Sequence, residues 1–223
     1  MIDHEGAVQD FTGVFETHLT VPLPGRLGDG DEALGLWAKR NAMKYTRIRL
    51  DRGSIPDQPM LTYGGKGVLS AQRLEAQEWV GRLQDEGFSV ARVKIEAAPW
   101  NADVPQTAEE AAALPAHSYF EHHVKLVLAG DADVAVVRAL GGRHAAHVSW
   151  NARRGMDGGR HERFVTQRCR GVGRPEARRR LQALLGDLAD SGHAAVEVEE
   201  EFVVHDDNPD VDAGWGDGPD KAA

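Results

Sequence analysis

The chain contains a single cysteine, Cys169. No intramolecular disulfide can form, and no cysteine-based zinc motif exists. Basic residues are in deficit: 26 Lys and Arg stand against 35 Asp and Glu, for a formal net charge of −9. That balance argues against general nucleic-acid binding and against adhesion to acidic membranes. No apolar run approaches the roughly 20 residues of a membrane-spanning helix. The opening MIDHEGAVQD lacks the basic and apolar regions of a secretory signal, so a soluble, cytoplasmic protein is expected. A Walker loop, a GxGxxG turn after a strand and a GxSxG elbow are also missing, which removes the commonest nucleotide, dinucleotide and serine-hydrolase readings.

What is present is a globular composition, 41% hydrophobic and 27% charged over 223 residues, and a repeat. VFETHLTV (Val14–Val21) and YFEHHVKL (Tyr119–Leu126) both carry Phe-Glu-x-His, with Glu16 and Glu121, and His18 and His123, each 105 positions apart. Gly87 and Gly192 share that offset, each closing a long helical segment. Before them Ala76, Trp79, Val80 and Leu83 correspond to Leu181, Leu184, Leu185 and Leu188, the i, i+3, i+4, i+7 stripe of an amphipathic helix. Each copy reads strand, helix, strand, strand, helix, strand, with Asp31 and Asp133 expected as N-caps of the first helices. The order βαββαβ predicts an α+β tandem of ferredoxin-like units: antiparallel sheets with helices on one face, the open faces adjoining. The boundaries predicted are 1–100 for the first repeat, 101–118 for a linker, 119–205 for the second repeat and 206–223 for a flexible acidic tail. Trp215 is the one residue expected to hold that tail down.

Strand alternation then orients the repeated polar residues. Phe15, Leu19 and Val21 face the helices, as do Phe120, Val124 and Leu126. Glu16, His18 and Thr20, with Glu121, His123 and Lys125, project from the open faces. The fourth strands add Lys94 and Glu96, and Glu199 and Glu201; the third strands add Thr62, Thr166 and Arg168. His122 falls on the helix side and reads as a hydrogen-bonded core histidine. Charges on a surface that becomes covered are costly unless paired or liganded. The repeated motif is therefore expected to line a polar cleft between the repeats.

Imidazole with carboxylate suits a divalent metal, and Glu16, His18, Glu121 and His123 are the candidate ligands or acid–base groups. Lys94, Lys125, Arg168, Thr62 and Thr166 are the candidate contacts for a small anionic molecule. The strand EHHVK resembles the Glu-x-Glu-x-Lys strand of the triphosphate-tunnel phosphohydrolases, with His123 at the second glutamate position and Thr20 replacing the lysine in the other copy. That resemblance implies a metal and a phosphate chain held inside a barrel, with Arg47 and Arg49 adding cation density. HLTV (His18–Val21) and HVSW (His147–Trp150) are similar to the paired His-x-Thr/Ser motifs of the two-histidine phosphoesterases, although here they sit on non-equivalent strands. LTYGGKG (Leu61–Gly67), whose glycines and lysine could contact an anion, reads rather as a strand end with a bulge or turn. Cys169 lies between Arg168 and Arg170, which could lower its pKa, but a lone strand cysteine reads as inert; Trp100 either covers the cleft or seals the linker. The function expected is a small-molecule enzyme, metal-assisted or histidine-based, hydrolysing an anionic or phosphorylated substrate. The rival expectation is a non-catalytic protein that uses the duplicated sheet as a binding or assembly surface.

Overall fold

The computed structural model describes residues 10–23, 28–154 and 160–215. The first repeat runs β1 (Thr12–Thr20), α1 (Asp29–Arg40), β2 (Lys44–Leu50), β3 (Asp57–Val68), α2 (Leu69–Asp85) and β4 (Arg92–Ala97). A short helix, α3 (Ala108–Ala112), lies in the linker. The second repeat runs β5 (Tyr119–Leu128), α4 (Asp131–Arg143), β6 (Ala146–Asn151), β7 (His161–Arg170), α5 (Arg174–Asp190) and β8 (Glu197–Asp206). The expected loop PLPGRLGDGD and the turn between β6 and β7 fall partly outside the described residues, as do most of MIDHEGAVQD and positions 216–223.

Each repeat is a βαββαβ unit, with strand order β4-β1-β3-β2 in the first and β8-β5-β7-β6 in the second. The open faces adjoin by closing into a single barrel, β1-β3-β2-β6-β7-β5-β8-β4. The seams are antiparallel pairings of β2 with β6 (Ile48↔Asn151, Arg49↔Trp150, Leu50↔Ser149) and of β4 with β8 (Lys94↔Asp206, Ile95↔His205, Glu96↔Val203, Ala97↔Phe202). Closure leaves no free sheet edge, and it turns both polar faces inward.

The apolar alternation packs outward against the helices. Phe15, Leu19 and Val21 are buried with Leu34, Trp37, Ala76 and Leu83 in one core. Val124 and Leu126 lie with Val137, Leu181, Leu184 and Leu188 in the other. His122 is fully buried on the helix side, its Nδ1 3.0 Å from Gln167 Oε1, and Thr17 is buried across from Tyr63. Both fit core roles. No helix among the described residues is long and apolar enough to cross a membrane.

Several local expectations need correction. Gly28 and Gly130, not Asp31 and Asp133, precede the first helices. Asp31 instead accepts from the Tyr45 hydroxyl (2.7 Å) and pairs with Arg47 and Arg153, and Asp133 accepts from the Ala129 N–H. LTYGGKG is not a turn: β3 continues through it, paired to β1 as far as Thr12↔Val68. Arg47 and Arg49 turn away from the barrel interior towards Asp57, which removes them from any anion site there. The described part of the expected tail, 206–215, is folded. Pro209–Asp212 forms a 3-10 turn, and Val211, Asp212 and Trp215 are buried. Burial raises the Cys169 thiol to about 11 against the opposing effect of Arg180, so it is no lowered-pKa thiol.

The repeated glycines have a definite conformational role. Gly87 and Gly192 lie just past the ends of α2 and α5 with φ of 84° and 85°. In both, the next residue's N–H returns to the helix (Phe88 to Leu83 O, 2.9 Å; His193 to Leu188 O, 2.8 Å). This is the paired hydrogen-bond pattern of a left-handed helix stop. A Cβ at either position would meet nothing within 4 Å, so the cost of replacement is purely conformational. Gly87→Ala and Gly192→Ala are each expected to lower stability by about 1–2 kcal/mol in urea unfolding, with unchanged denaturant slopes.

Candidate functional site

The barrel interior encloses a chamber of about 240 Å³, room for a small molecule. One wall, at the β2–β6 seam and β3, is mostly neutral or apolar: Ile48, Leu50, Gln58, Met60, Ser149 and Asn151, with Trp215, and Lys44 and Arg154 as its charged members. The other, on β1, β5 and the β4–β8 seam, carries the repeated charges.

Two equivalent sets stand on that charged wall. In the first, His18 Nδ1 lies 2.8 Å from Thr62 Oγ1, and its Nε2 lies 2.7 Å from Glu96 Oε2 and 3.6 Å from Glu16 Oε1. In the second, His123 Nδ1 lies 2.9 Å from Thr166 Oγ1, and its Nε2 lies 3.3 Å from Glu201 Oε2 and 3.5 Å from Glu121 Oε2. Cross-strand pairing produces this, since His18 sits opposite Thr62 and His123 opposite Thr166. Each threonine fixes a ring through Nδ1 and leaves Nε2 facing carboxylates. Thr62 and Thr166, expected to hold an anion, are thus ring-orienting residues; their hydroxyls are engaged by histidine.

The two sets meet at the β4–β8 seam. Ligand atoms of Glu96, Glu121, His123 and Glu201 lie within 4.8 Å of one another, as do those of Glu16, His18 and Glu201. Glu201 belongs to both groups. The spacings of 3.3, 3.5 and 3.6 Å from Nε2 to carboxylate exceed hydrogen-bond length. They match the edge of about 3.4 Å expected between ligands of a tetrahedral ion at about 2.1 Å. The donor set could hold a divalent metal.

The expected anion-binding cations are otherwise occupied. Lys94 Nζ lies 2.6 Å from Glu96 and pairs closely with Glu121. Arg168 donates from Nε to Glu121 (2.6 Å) and from Nη2 to Asp212 (2.6 Å). Arg92 is clamped by Asp206 and Asp212. Of the predicted cations, Lys125 lines the chamber closest to free, 3.2 Å from Glu162 and 3.4 Å from Glu197. Lys44, which sequence reasoning did not single out, also lines the chamber and has no carboxylate partner among the described residues. Asp206 and Asp212 were missed because they lie at or beyond the end of the last strand in an acidic, Gly/Pro-rich stretch; Trp215, expected only to anchor the tail, also lines the chamber. Arg92 shares the parity of Lys94 and Glu96 on the fourth strand, so the same alternation was the signal that could have found it. His147 sits against Arg52 and Trp215, away from His18, so the two histidine motifs do not converge. Trp100 is 67% exposed and does not line the chamber.

Four carboxylates (Glu96, Glu121, Asp206, Asp212) contact the three cations Arg92, Lys94 and Arg168, and two more, Glu16 and Glu201, pair only with histidines among the described residues. The protonation equilibria follow from that excess. Burial alone would raise Glu121, but Lys94 and Arg168 hold it well below the usual carboxylate range. Burial would also raise Glu96, and Lys94 with His18 pulls it down instead. Glu201 has neither cation: burial, reinforced by Glu96, raises it to about 7. Burial would lower both histidines. His18 is raised by Glu96, and His123 is raised well above its ordinary value by Glu121 and Glu201.

Glu201 gives a pH signature. Its folded-state value lies above that of the unfolded chain, so between pH 4.5 and about 7 only the folded state keeps the proton. Stability from this group is complete below pH 4.5 and declines as pH rises through that window. In metal-free protein, Glu201→Gln is therefore expected to gain stability relative to wild type, by about 1–3 kcal/mol, between pH 4.5 and 6.5. Parallel urea-unfolding profiles for the two proteins across that range would contradict it.

No family model matches the chain, and no curated protein matches it. Among solved structures, the small subunit of acetolactate synthase from Thermotoga maritima is 14% identical, over 86% of this chain and 94% of that one, with a TM-score of 0.27. A protein provisionally named a chlorite dismutase is 11% identical, over 87% of this chain and 96% of that one, also with a TM-score of 0.27. Likeness of that degree transfers no activity. The strand order of the chain itself makes it an α+β protein of two ferredoxin-like units.

Proposed function

We propose that the protein is a small-molecule enzyme, a metal-assisted hydrolase whose Glu/His array binds a divalent cation at the β4–β8 seam. One observation carries the reading: two imidazoles, each fixed at Nδ1 by threonine, direct Nε2 into a shared group of carboxylates beside the barrel's chamber. Such second-contact orientation is what metal-ligating histidines use. A divalent cation there would supply Lewis acidity and offset the carboxylate excess. The substrate would lie between the array and the mostly neutral wall, with an anionic group near Lys44 and Lys125. In hydrolysis, the oxygen of water bonds to the electrophilic centre while its proton passes to a carboxylate of the array. The bond to the leaving oxygen breaks, and that oxygen takes a proton from the His123 imidazolium.

The competing reading is a binding or assembly barrel whose charges only neutralise one another. The completeness of the Lys94–Glu96–Glu121–Arg168–Asp212 network favours it. Metal analysis of protein purified without a His tag separates the two. The enzyme reading expects stoichiometric divalent metal, lost in the Glu16→Ala/His123→Ala double variant, which removes one ligand from each set. It also expects a thermal shift of wild type with small phosphate esters. No metal, no thermal shift and unchanged stability in the double variant would instead establish the internal network as structural.

A further inference from the structure

The two sets are equivalent in backbone position but not in charge, and the difference decides where an ion goes. Resting on the metal reading above, we infer that the barrel holds one divalent cation per chain, on Glu16, His18 and Glu201. In the other set the Lys94 ammonium takes a second ion's place.

The repeat itself supplies the comparison. Glu121 is met by two cations, Lys94 and Arg168. The positions equivalent to these in the other repeat are Glu199 and Gly64: one reverses the charge and the other has no side chain. Glu16, the equivalent of Glu121, consequently has no charged partner among the described residues except His18. Its side chain is 42% exposed where it lines the chamber, whereas that of Glu121 is 1% exposed. An ion entering the chamber thus meets an uncommitted carboxylate on one side and a neutralised, enclosed one on the other.

Geometry agrees with the charge. Glu16 Oε1 and His18 Nε2 are 3.6 Å apart, a ligand edge rather than a hydrogen bond. Glu201 completes the group, and its Oε2 is buried without a hydrogen bond. Thr62 holds the far side of the His18 ring. For Nε2 to bind metal, His18 has only to give up Glu96, which keeps Lys94 as its partner. An ion on Glu121 would have to displace Lys94 from it, leaving a buried ammonium to Glu96 alone; uncompensated buried charge of that kind is strongly unfavourable. One imidazole and two carboxylates, with remaining positions open to the chamber, suit zinc, manganese or iron(II) in a catalytic rather than structural arrangement.

The test is Zn²⁺ binding to the chelator-stripped full chain, by calorimetry and equilibrium dialysis, with circular dichroism confirming each variant's fold. Wild type should bind one Zn²⁺ per chain. Glu16→Gln and His18→Asn should weaken it at least 100-fold, whereas the matched Glu121→Gln and His123→Asn should retain it within about threefold. Because Glu121 sits in the buried network, His123→Asn carries the comparison if Glu121→Gln does not fold. The reverse dependence, or two Zn²⁺ per wild-type chain, would overturn this assignment and leave the metal reading intact. No Zn²⁺ bound by wild type would overturn both.

Discussion

Closing a sheet over its own charged face obliges the ions buried on that face to find counter-charges within a confined space. The barrel meets this requirement at Glu121. Its two oxygens take Arg168 and Lys94 separately, and each of those cations also reaches a second carboxylate, Asp212 and Glu96 respectively. The chain of alternating charge crosses the β4–β8 seam and so joins the repeats where their backbone pairing is irregular, at the bulge between Ile95 and Glu96. Pairs of this kind are weak as sources of net stability, because desolvation offsets attraction. A slip in the seam would nevertheless strand buried ions, which is costly.

Duplication places equivalent residues in equivalent positions, yet the copies have diverged where the charges are. Thr20 opposes Lys125, Gly64 opposes Arg168 and Lys94 opposes Glu199, while the Glu-His-Thr framework is retained in both. The retained part orients two imidazoles. The diverged part makes one copy electrically closed and leaves the other short of cations. A symmetric barrel of the same framework would hold two identical sites; this one is built with a distinguishable pair.

The sequence made the duplication, the βαββαβ order and the inward parity of Glu16, His18, Glu121 and His123 legible, because a period-two alternation and a constant offset are local properties. Parity also marked Glu96 and Glu201 as facing the same side. It could not say which partners those side chains would meet, since facing inward does not specify an opposite number. Lys94 and Arg168 were therefore read as free cations when each is held by two carboxylates. The N-cap assignments failed for a related reason: Asp31 had a stronger non-local claim on it, from Arg47, Arg153 and Tyr45, than the helix end could offer. Where chemistry depends on residues far apart in the chain, composition and period are silent.

The tail shows this most clearly. An acidic, Gly/Pro-rich run ordinarily stays solvated, and nothing in DDNPDVDAGW but its tryptophan points elsewhere. Yet Asp212 accepts from Arg92 of the first repeat (2.8 Å) and Arg168 of the second (2.6 Å), with Gln58 donating to its other oxygen (3.0 Å). Trp215 stacks 5.1 Å from the Arg168 guanidinium and donates its indole N–H to Val148 O. A guanidinium held on one side by carboxylate and on another by an aromatic face is fixed in direction as well as in charge. Arg168 in turn fixes Glu121. The segment with no counterpart inside either repeat thus completes the electrical closure of the second copy, and the imbalance between the two halves depends on it.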